Sequence, residues 1–586
     1  MTAFVAIVGA DVSSPSAVPA TCQSALRTPG SGPTTVHSTG GFACAAAKTG
    51  AGGESLLVLQ GVVLAGDVRL DGRDELVRAL RNSSGGSSLR TGRSGARDDL
   101  GVVLAAYRAW GRDFVERLRG EFSFVLWDGA TRSWVAARDG LGVRPLYFAE
   151  FAGTTVVGNA VNAVRAHPSV GSALHPPAIA SFLAHGCNYD LARTTFSSVR
   201  RVAPGGCLRS RAGFGSPDIG THWRLPDPEP LRLNGDEAYV DRFRELVGDA
   251  VRDRITGPTT ILLSGGLDSS CIAAVVPAIA PSVSVSALTF RVAGVEGPDE
   301  SRLAKSVADQ IGLPHETRLA HLSPLSGERA QTPEPYDDPE LAANANVHRS
   351  IAERTPVVLN GEDGDALLAP PSLAAMMRAG SPLAVLRGAI AHTTKFGRHP
   401  YMGFWLAKRI QFWRPESPPL PDWLRGSQLA PPEPDPPHNL ARPEAAQRLA
   451  QALWQAVHLG TDREFVDAPI EYRWPLLDTR LIEFAFAIPP MPWCQRKEIM
   501  RRALRGRVPD DVVTRPKITV PGYFEAAIAE WQNRTGASCT PLHERTADFV
   551  DPSKLAEALR SGETEQVLGG WRALQFDAWI RGMEAA

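Results

Sequence analysis

The sequence predicts a domain of paired strands and short helices over residues 1–212, a linker over 213–235, and an α/β domain over 236–586 whose last part is largely helical. Three observations carry that reading. Before the linker, apolar runs alternate with polar positions between Gly-containing turns, the pattern of paired strands. The stretch around the linker is rich in Pro, Asp and Gly. After it, short apolar runs alternate with helical patterns, which implies a parallel sheet.

In chain order, Glu54–Ala65 reads as strand with Gly punctuation. Asp74–Arg81 and Asp98–Trp110 read as short helices, and the Ser/Gly/Arg-rich run 83–95 as a solvated loop. Glu121–Asp128 alternates and continues, after Gly129-Ala130-Thr131, into Trp134–Ala137, so the two form a hairpin. Beyond the linker, Glu237–Arg254 has helical periodicity. Strands are expected at Thr259–Leu263, Val283–Phe290 and Pro356–Leu359, and helices at Ser269–Val276 and Pro298–Ile311. The Pro-rich stretch Glu416–Pro437 is read as a surface excursion.

The chain has 586 residues with 62 basic and 63 acidic side chains. That balance gives no footprint for nucleic acid. No apolar run of about 18 residues exists to span a membrane. The first residues lack a basic region, so no secretory signal is expected. Seven cysteines without CxxC spacing argue against a disulfide framework or a zinc site. A cytoplasmic enzyme is the expectation.

The strongest local signal is Leu262-Leu263-Ser264-Gly265-Gly266-Leu267-Asp268-Ser269-Ser270. A buried strand runs into two glycines and then a helix. Glycines let backbone approach an anion, and the helix start offers free N–H groups. Ser264 and Ser269 add hydroxyls. Asp268 would repel a phosphate directly, but it suits a site where Mg²⁺ lies between them. The alternative is a serine-capped turn.

This segment matches the pyrophosphate loop of the N-type ATP pyrophosphatases. The chain as a whole resembles the asparagine-synthetase superfamily. Residues Leu118–Asp128 and Ala137–Tyr147 are similar to its glutaminase-like domain. Asn360–Asp365, Glu471–Asp478 and Arg515–Lys517 complete the set in order. The resemblance implies an α+β N-terminal nucleophile-hydrolase-like sandwich followed by an ATP-pyrophosphatase domain of the adenine-nucleotide α-hydrolase type.

The chemistry implied is adenylation of a carboxylate by ATP with loss of pyrophosphate. By resemblance, Asp268 and Asp365 hold Mg²⁺. Lysines are few here, yet Lys497 and Lys517 fall in the matching segments. By resemblance, Lys497 contacts the phosphates and Lys517 stabilises the adenylate and the intermediate of amine attack. A compact ammonium cannot be replaced by a guanidinium fork at a tight site. Amine attack needs a general base, and Glu362 and Glu471 are the candidates; Glu471 could instead pair with Arg473. Leu262, Leu288, Phe290 and Gly361 are placed to line an adenine pocket.

In glutamine-dependent members a Cys at position 2 is the nucleophile. Here position 2 is Thr2, and Ala65-Gly66-Asp67 stands where those members have Asn-Gly-Glu. Ala65 offers no oxyanion donor, so glutaminase activity is expected to be absent. The amine must then come from a substrate, as in the ring-closing members. β-Lactam synthetases carry Tyr where this chain has Glu362, which favours the lasso-peptide cyclases. The aromatic stretch with Trp405, Phe412, Trp413 and Trp423 would suit gripping a precursor peptide, although these rings could equally pack onto the domain. The resemblance further implies a leader-binding protein and a leader peptidase as partners. Two other readings stay open: a ligase acting on a small substrate, and an inactive ATP- or peptide-binding scaffold.

Overall fold

A computed structural model describes residues 1–49, 54–83, 98–210, 214–292, 300–320, 332–337, 341–372, 375–377, 382–397, 399–400, 420–426, 429–430, 442–466, 468–516, 541–561 and 563–585. The strands of the first domain are, in chain order, β1 (Thr2–Val8), β2 (Ser31–Thr39), β3 (Phe42–Thr49), β4 (Leu56–Leu59), β5 (Val62–Leu70) and β6 (Gly120–Asp128). They continue with β7 (Ser133–Arg138), β8 (Tyr147–Phe151), β9 (Thr154–Gly158), β10 (Arg200–Arg201), β11 (Gly206–Arg209) and β12 (Asp218–Thr221). They form two antiparallel sheets in the orders β10-β8-β9-β1-β3-β2 and β12-β11-β7-β6-β5-β4.

Side-chain alternation turns these sheets into a sandwich. Phe4, Ala6 and Val8 of β1 meet Val63, Ala65, Val125 and Trp127 of the facing sheet. Their neighbours Ala3, Val5 and Ile7 point the other way, under a layer of helices. The second sheet does the same: Leu64, Phe124 and Leu126 face the helix Asp99–Trp110. Two sheets between two helical layers are the arrangement that the resemblance implied.

The local expectations hold closely. Glu54–Ala65 is a hairpin, turned at Gln60 and Gly61, both with positive φ. The Glu121–Asp128 hairpin pairs Trp127 with Trp134. Helices run over Arg73–Arg81 and Asp99–Trp110. The loop expected at 83–95 lies almost wholly outside the described residues. Strand β12 lies inside the expected linker and adds to the edge of the second sheet.

The second domain has five parallel strands: β13 (Thr259–Leu262), β14 (Val285–Val292), β15 (His315–Ala320), β16 (Val357–Leu359) and β17 (Glu471–Arg473). Their order is β15-β14-β13-β16-β17. From β13 the chain builds outward through β14 and β15, then crosses to β16 on the other side. The crevice at the carboxyl ends of β13 and β16 is therefore a topological switch point, where open α/β sheets bind ligands. The helices Asp236–Arg254, Leu267–Ala273 and Glu300–Ile311 cover the sheet and share one apolar core with it.

The last part is helical, as expected, and it divides: the helices Thr479–Ala487 and Glu498–Leu504 join the core of the second domain, whereas the final helices pack on the first. Val567, Trp571, Phe576 and Ile580 of the helix Thr564–Ala585 share a core with Ile179 and Phe182 of the helix Pro176–His185. Trp423 is buried in the same core, so this ring packs the domains together. Trp405, Phe412 and Trp413 lie outside the described residues.

Candidate active site

Two loops meet at the switch point. The first follows β13. Gly265 adopts φ 70°, and a side chain there would sit 2.7 Å from the Ala304 backbone nitrogen. Only glycine fits both demands. Ser264 and Ser269 close the turn: their hydroxyls lie 3.1 Å apart, and the Ser264 N–H donates to Ser269 Oγ at 3.2 Å. The Gly266 N–H donates to Ser264 Oγ at 3.3 Å. The helix Leu267–Ala273 begins there with Asp268 in its first turn.

The second loop follows β16. A Cβ on Gly361 would lie 2.7 Å from the Ser269 backbone, so the two loops touch at that point. Asp363 has φ 72°, which non-glycine residues rarely adopt. That turn starts the short helix Gly364–Leu367 and brings Asp365 beside Asp268. Lys497 joins the two: Nζ donates to Asp268 at 2.7 and 2.5 Å and lies 2.6 Å from Asp365. One cation thus touches both carboxylates, a donor set that fits a hard divalent cation beside phosphate oxygens.

The expected adenine residues also converge. Leu262 and Leu288 are register partners on β13 and β14. Leu288 is buried, while Leu262 and Phe290 are half-buried against the same core. Gly361 is buried at the end of β16. Lys517 lies outside the described residues.

Glu362 stands at the mouth of this crevice, open to solvent but surrounded by protein. The protein crowded around it displaces part of its hydration, and with Asp363 next to it this pushes its carboxyl up to about 7. Beneath it, His458 lies 3.5 Å from Asp363 and edge-on to Trp474 at 4.9 Å. Glu362 in turn adds to burial in raising the Tyr472 phenol. Sequence reasoning assigned no role to His458 or Tyr472. Tyr472 sat inside a quoted motif, whereas His458 had no local signal.

Glu471 has the opposite surroundings. Burial alone would raise its carboxyl, but Arg473, the Met1 ammonium and Arg144 hold it well below the usual carboxylate range. The contacts are 2.9 Å to Arg473, 2.5 Å to Arg144 and 3.7 Å to the Met1 nitrogen. A carboxylate held so firmly ionised has little affinity for a proton near neutrality. The pairing alternative, not the base, is what this geometry suits.

The asparagine synthase family model matches residues 242–581, more than half of the chain. The chain belongs to the asparagine synthase family.

A glutamine amidotransferase domain model matches residues 87–217. A putative glutamine-hydrolysing asparagine synthetase of Mycobacterium tuberculosis is 26% identical over 540 residues, covering 82% of this chain and 79% of that protein. Asparagine synthetase 3 of Bacillus subtilis is 24% identical, covering 74% and 73%. Amidase chyE of Penicillium rubens is 32% identical over a shorter stretch, 37% of this chain and 34% of that protein. As a family member the chain is an ATP-dependent, amide-forming ligase. No helix among the described residues is long and apolar enough to cross a membrane.

The amidotransferase match starts at residue 87, beyond Thr2 and Ala65–Asp67. At that end of the sandwich, the Thr2 N–H donates to Asp67 Oδ1 at 3.0 Å. Asp67 also faces Arg144 at 3.5 Å. The Met1 ammonium donates to the Thr49 carbonyl at 3.2 Å. The six described cysteines are all buried, and burial pushes the Cys22 thiol up to about 11 and Cys44 up to about 12. Such thiols are poor nucleophiles.

These groups merge into an ionic seam between the domains. Glu121 contacts Arg69 at 3.0 Å, Arg144 at 3.6 Å and Arg254 at 3.4 Å. Arg254 also contacts Asp71 at 3.0 Å and Asp478 at 3.1 Å. Several of these residues sat in the matched motifs, but nothing local in the sequence announced that they pair.

Proposed function

We propose that this ligase closes a macrolactam in a lasso-type precursor peptide. ATP adenylates an Asp or Glu side-chain carboxylate, and the core peptide's N-terminal amine displaces AMP to form the isopeptide bond. One observation supports the reading above the rest: an ATP loop with its glycines, serines and aspartates in place is joined to a first domain whose Asp67 is engaged by Thr2 and Arg144. With no glutaminase activity, the amine comes from the substrate itself.

In this mechanism Ser264, Gly265, Gly266 and Ser269 cradle the pyrophosphate. Leu262, Leu288, Phe290 and Gly361 face the adenine. Asp268 and Asp365 would hold Mg²⁺, which when bound neutralises charge on the departing pyrophosphate. Lys497 supports the phosphates and Lys517 the adenylate. Glu362 rather than Glu471 takes a proton from the core peptide's N-terminal ammonium and so frees the neutral amine that attacks, since its carboxyl is pushed up to about 7. The setting is cytoplasmic, with a leader-binding protein and a leader peptidase as partners.

A second reading is an asparagine-synthetase-like ligase acting on a small carboxylate with glutamine-derived ammonia. The amidotransferase match over 87–217 and the mycobacterial and Bacillus relatives favour it. Incubation with ATP, magnesium and the leaderless candidate peptide separates the two. The macrolactam reading expects AMP and a peptide lighter by one water, with no glutamate released from glutamine. Unchanged peptide together with asparagine formed from aspartate and glutamine would overturn it.

A further inference from the structure

Lys497 occupies a position that phosphate contact alone does not explain. Its ammonium lies within 2.7 Å of three carboxylate oxygens, two from Asp268 and one from Asp365. That is how a small divalent cation would be seated. The two cannot share the place. Magnesium bonded at about 2.1 Å to the same oxygens would bring two positive centres within about 4 Å of each other. The side chain is partly withdrawn from water, at 14% exposure, which weakens screening of that repulsion.

The backbone that delivers the ammonium is itself strained. Arg496 and Lys497 are successive non-glycine residues with φ 52° and 56°, just ahead of the helix Glu498–Leu504. Arg501 Nε holds this turn by donating to the Arg496 carbonyl at 2.8 Å. A turn in this state can relax when its side chain is released.

We propose that Lys497 is a counter-ion gate: without nucleotide its ammonium closes the Asp268–Asp365 pair to divalent metal, and it moves onto the triphosphate when magnesium arrives already bound to ATP. The inference rests on the metal assignment made above and goes beyond it by fixing the order of binding. The charges follow. Two carboxylates and one ammonium sum to −1. Exchange of the ammonium for Mg²⁺ brings the pair to zero and frees a cation for the incoming phosphates. Free metal alone gains less, because it must expel an ammonium that has no new partner.

The test is Mn²⁺ binding to the full chain, read by electron paramagnetic resonance, with and without the inert analogue α,β-methylene-ATP. Wild-type protein is expected to bind Mn²⁺ weakly alone and tightly with the analogue, and Asp268→Asn to lose the latter. Lys497→Met is expected to bind Mn²⁺ without nucleotide at least about tenfold more tightly than wild type. The double variant with Asp268→Asn should lose that gain. If Lys497→Met gains nothing while the analogue-dependent binding still needs Asp268, the gate is wrong and the metal site stands. If the analogue-dependent binding ignores Asp268→Asn, the metal assignment falls and the gate with it. Thermal melting confirms that the variant is folded, and Lys497→Gln replaces it if it is not. Equal wild-type affinity with and without the analogue also overturns the gate.

Discussion

The two ends of this molecule treat charge in opposite ways. At the switch point, Asp268 and Asp365 are partly open to solvent and meet Lys497 beside turns with left-handed residues. At the other end, Asp67, Glu121, Arg144 and Glu471 are mostly buried and satisfied by one another. The first arrangement stores charge for a ligand. The second has consumed it in holding the domains together. The proposed ligase reaction needs groups whose best partner arrives from outside, and the first end offers them.

The largest expected effect breaks the first end. Asp268→Asn should lower ATP–pyrophosphate exchange with the true acceptor by about a thousandfold or more, as loss of metal support does. Retained exchange would place the metal elsewhere. Glu362→Gln comes next, with amide formation falling by about a hundredfold or more while exchange persists. The sign with pH follows from its raised carboxyl. Glu362 is protonated and unable to accept a proton below about 7. The rate of the acyl-transfer step should therefore rise with pH up to that value, and the variant should lose that limb of the profile.

The second end should respond in stability. Arg144→Met leaves Glu471 and Glu121 buried with one cation fewer, and because Arg473, Arg69 and Arg254 remain, the cost should fall below the about 3–5 kcal/mol of an unpaired buried charge. The urea midpoint should fall without loss of folding cooperativity. The smallest effect sharpens the contrast. Thr2→Cys should give no measurable glutaminase, because Ala65 still offers no donor and Asp67 stays engaged. Glutamate release above background would mean that this end is one residue from activity.

What the sequence revealed follows the same division. The two loops at the switch point were legible because glycine at φ 70° and serines beside an aspartate act over a few residues. The strands with apolar alternation were legible for the same reason. Strand β15 was not: it lies at the sheet edge and carries Glu316 and Arg318, which pair at 2.8 Å. Strand β17 spans only Glu471–Arg473, too short to show a period. Strand β12 hides in the Gly-containing stretch read as a linker. The fate of Glu471 was least legible, because Arg144 lies 327 residues away in sequence. Only tertiary structure brings them together, as it brings the helix Thr564–Ala585 onto the first domain.

The most direct test of carboxylate adenylation at the Ser264–Asp268 loop uses an acceptor whose carboxyl group carries oxygen-18. One labelled oxygen should appear in the phosphate of AMP after amide formation, and Asp268→Asn should abolish its transfer. Label recovered in inorganic phosphate, with ADP as the other product, would contradict the account.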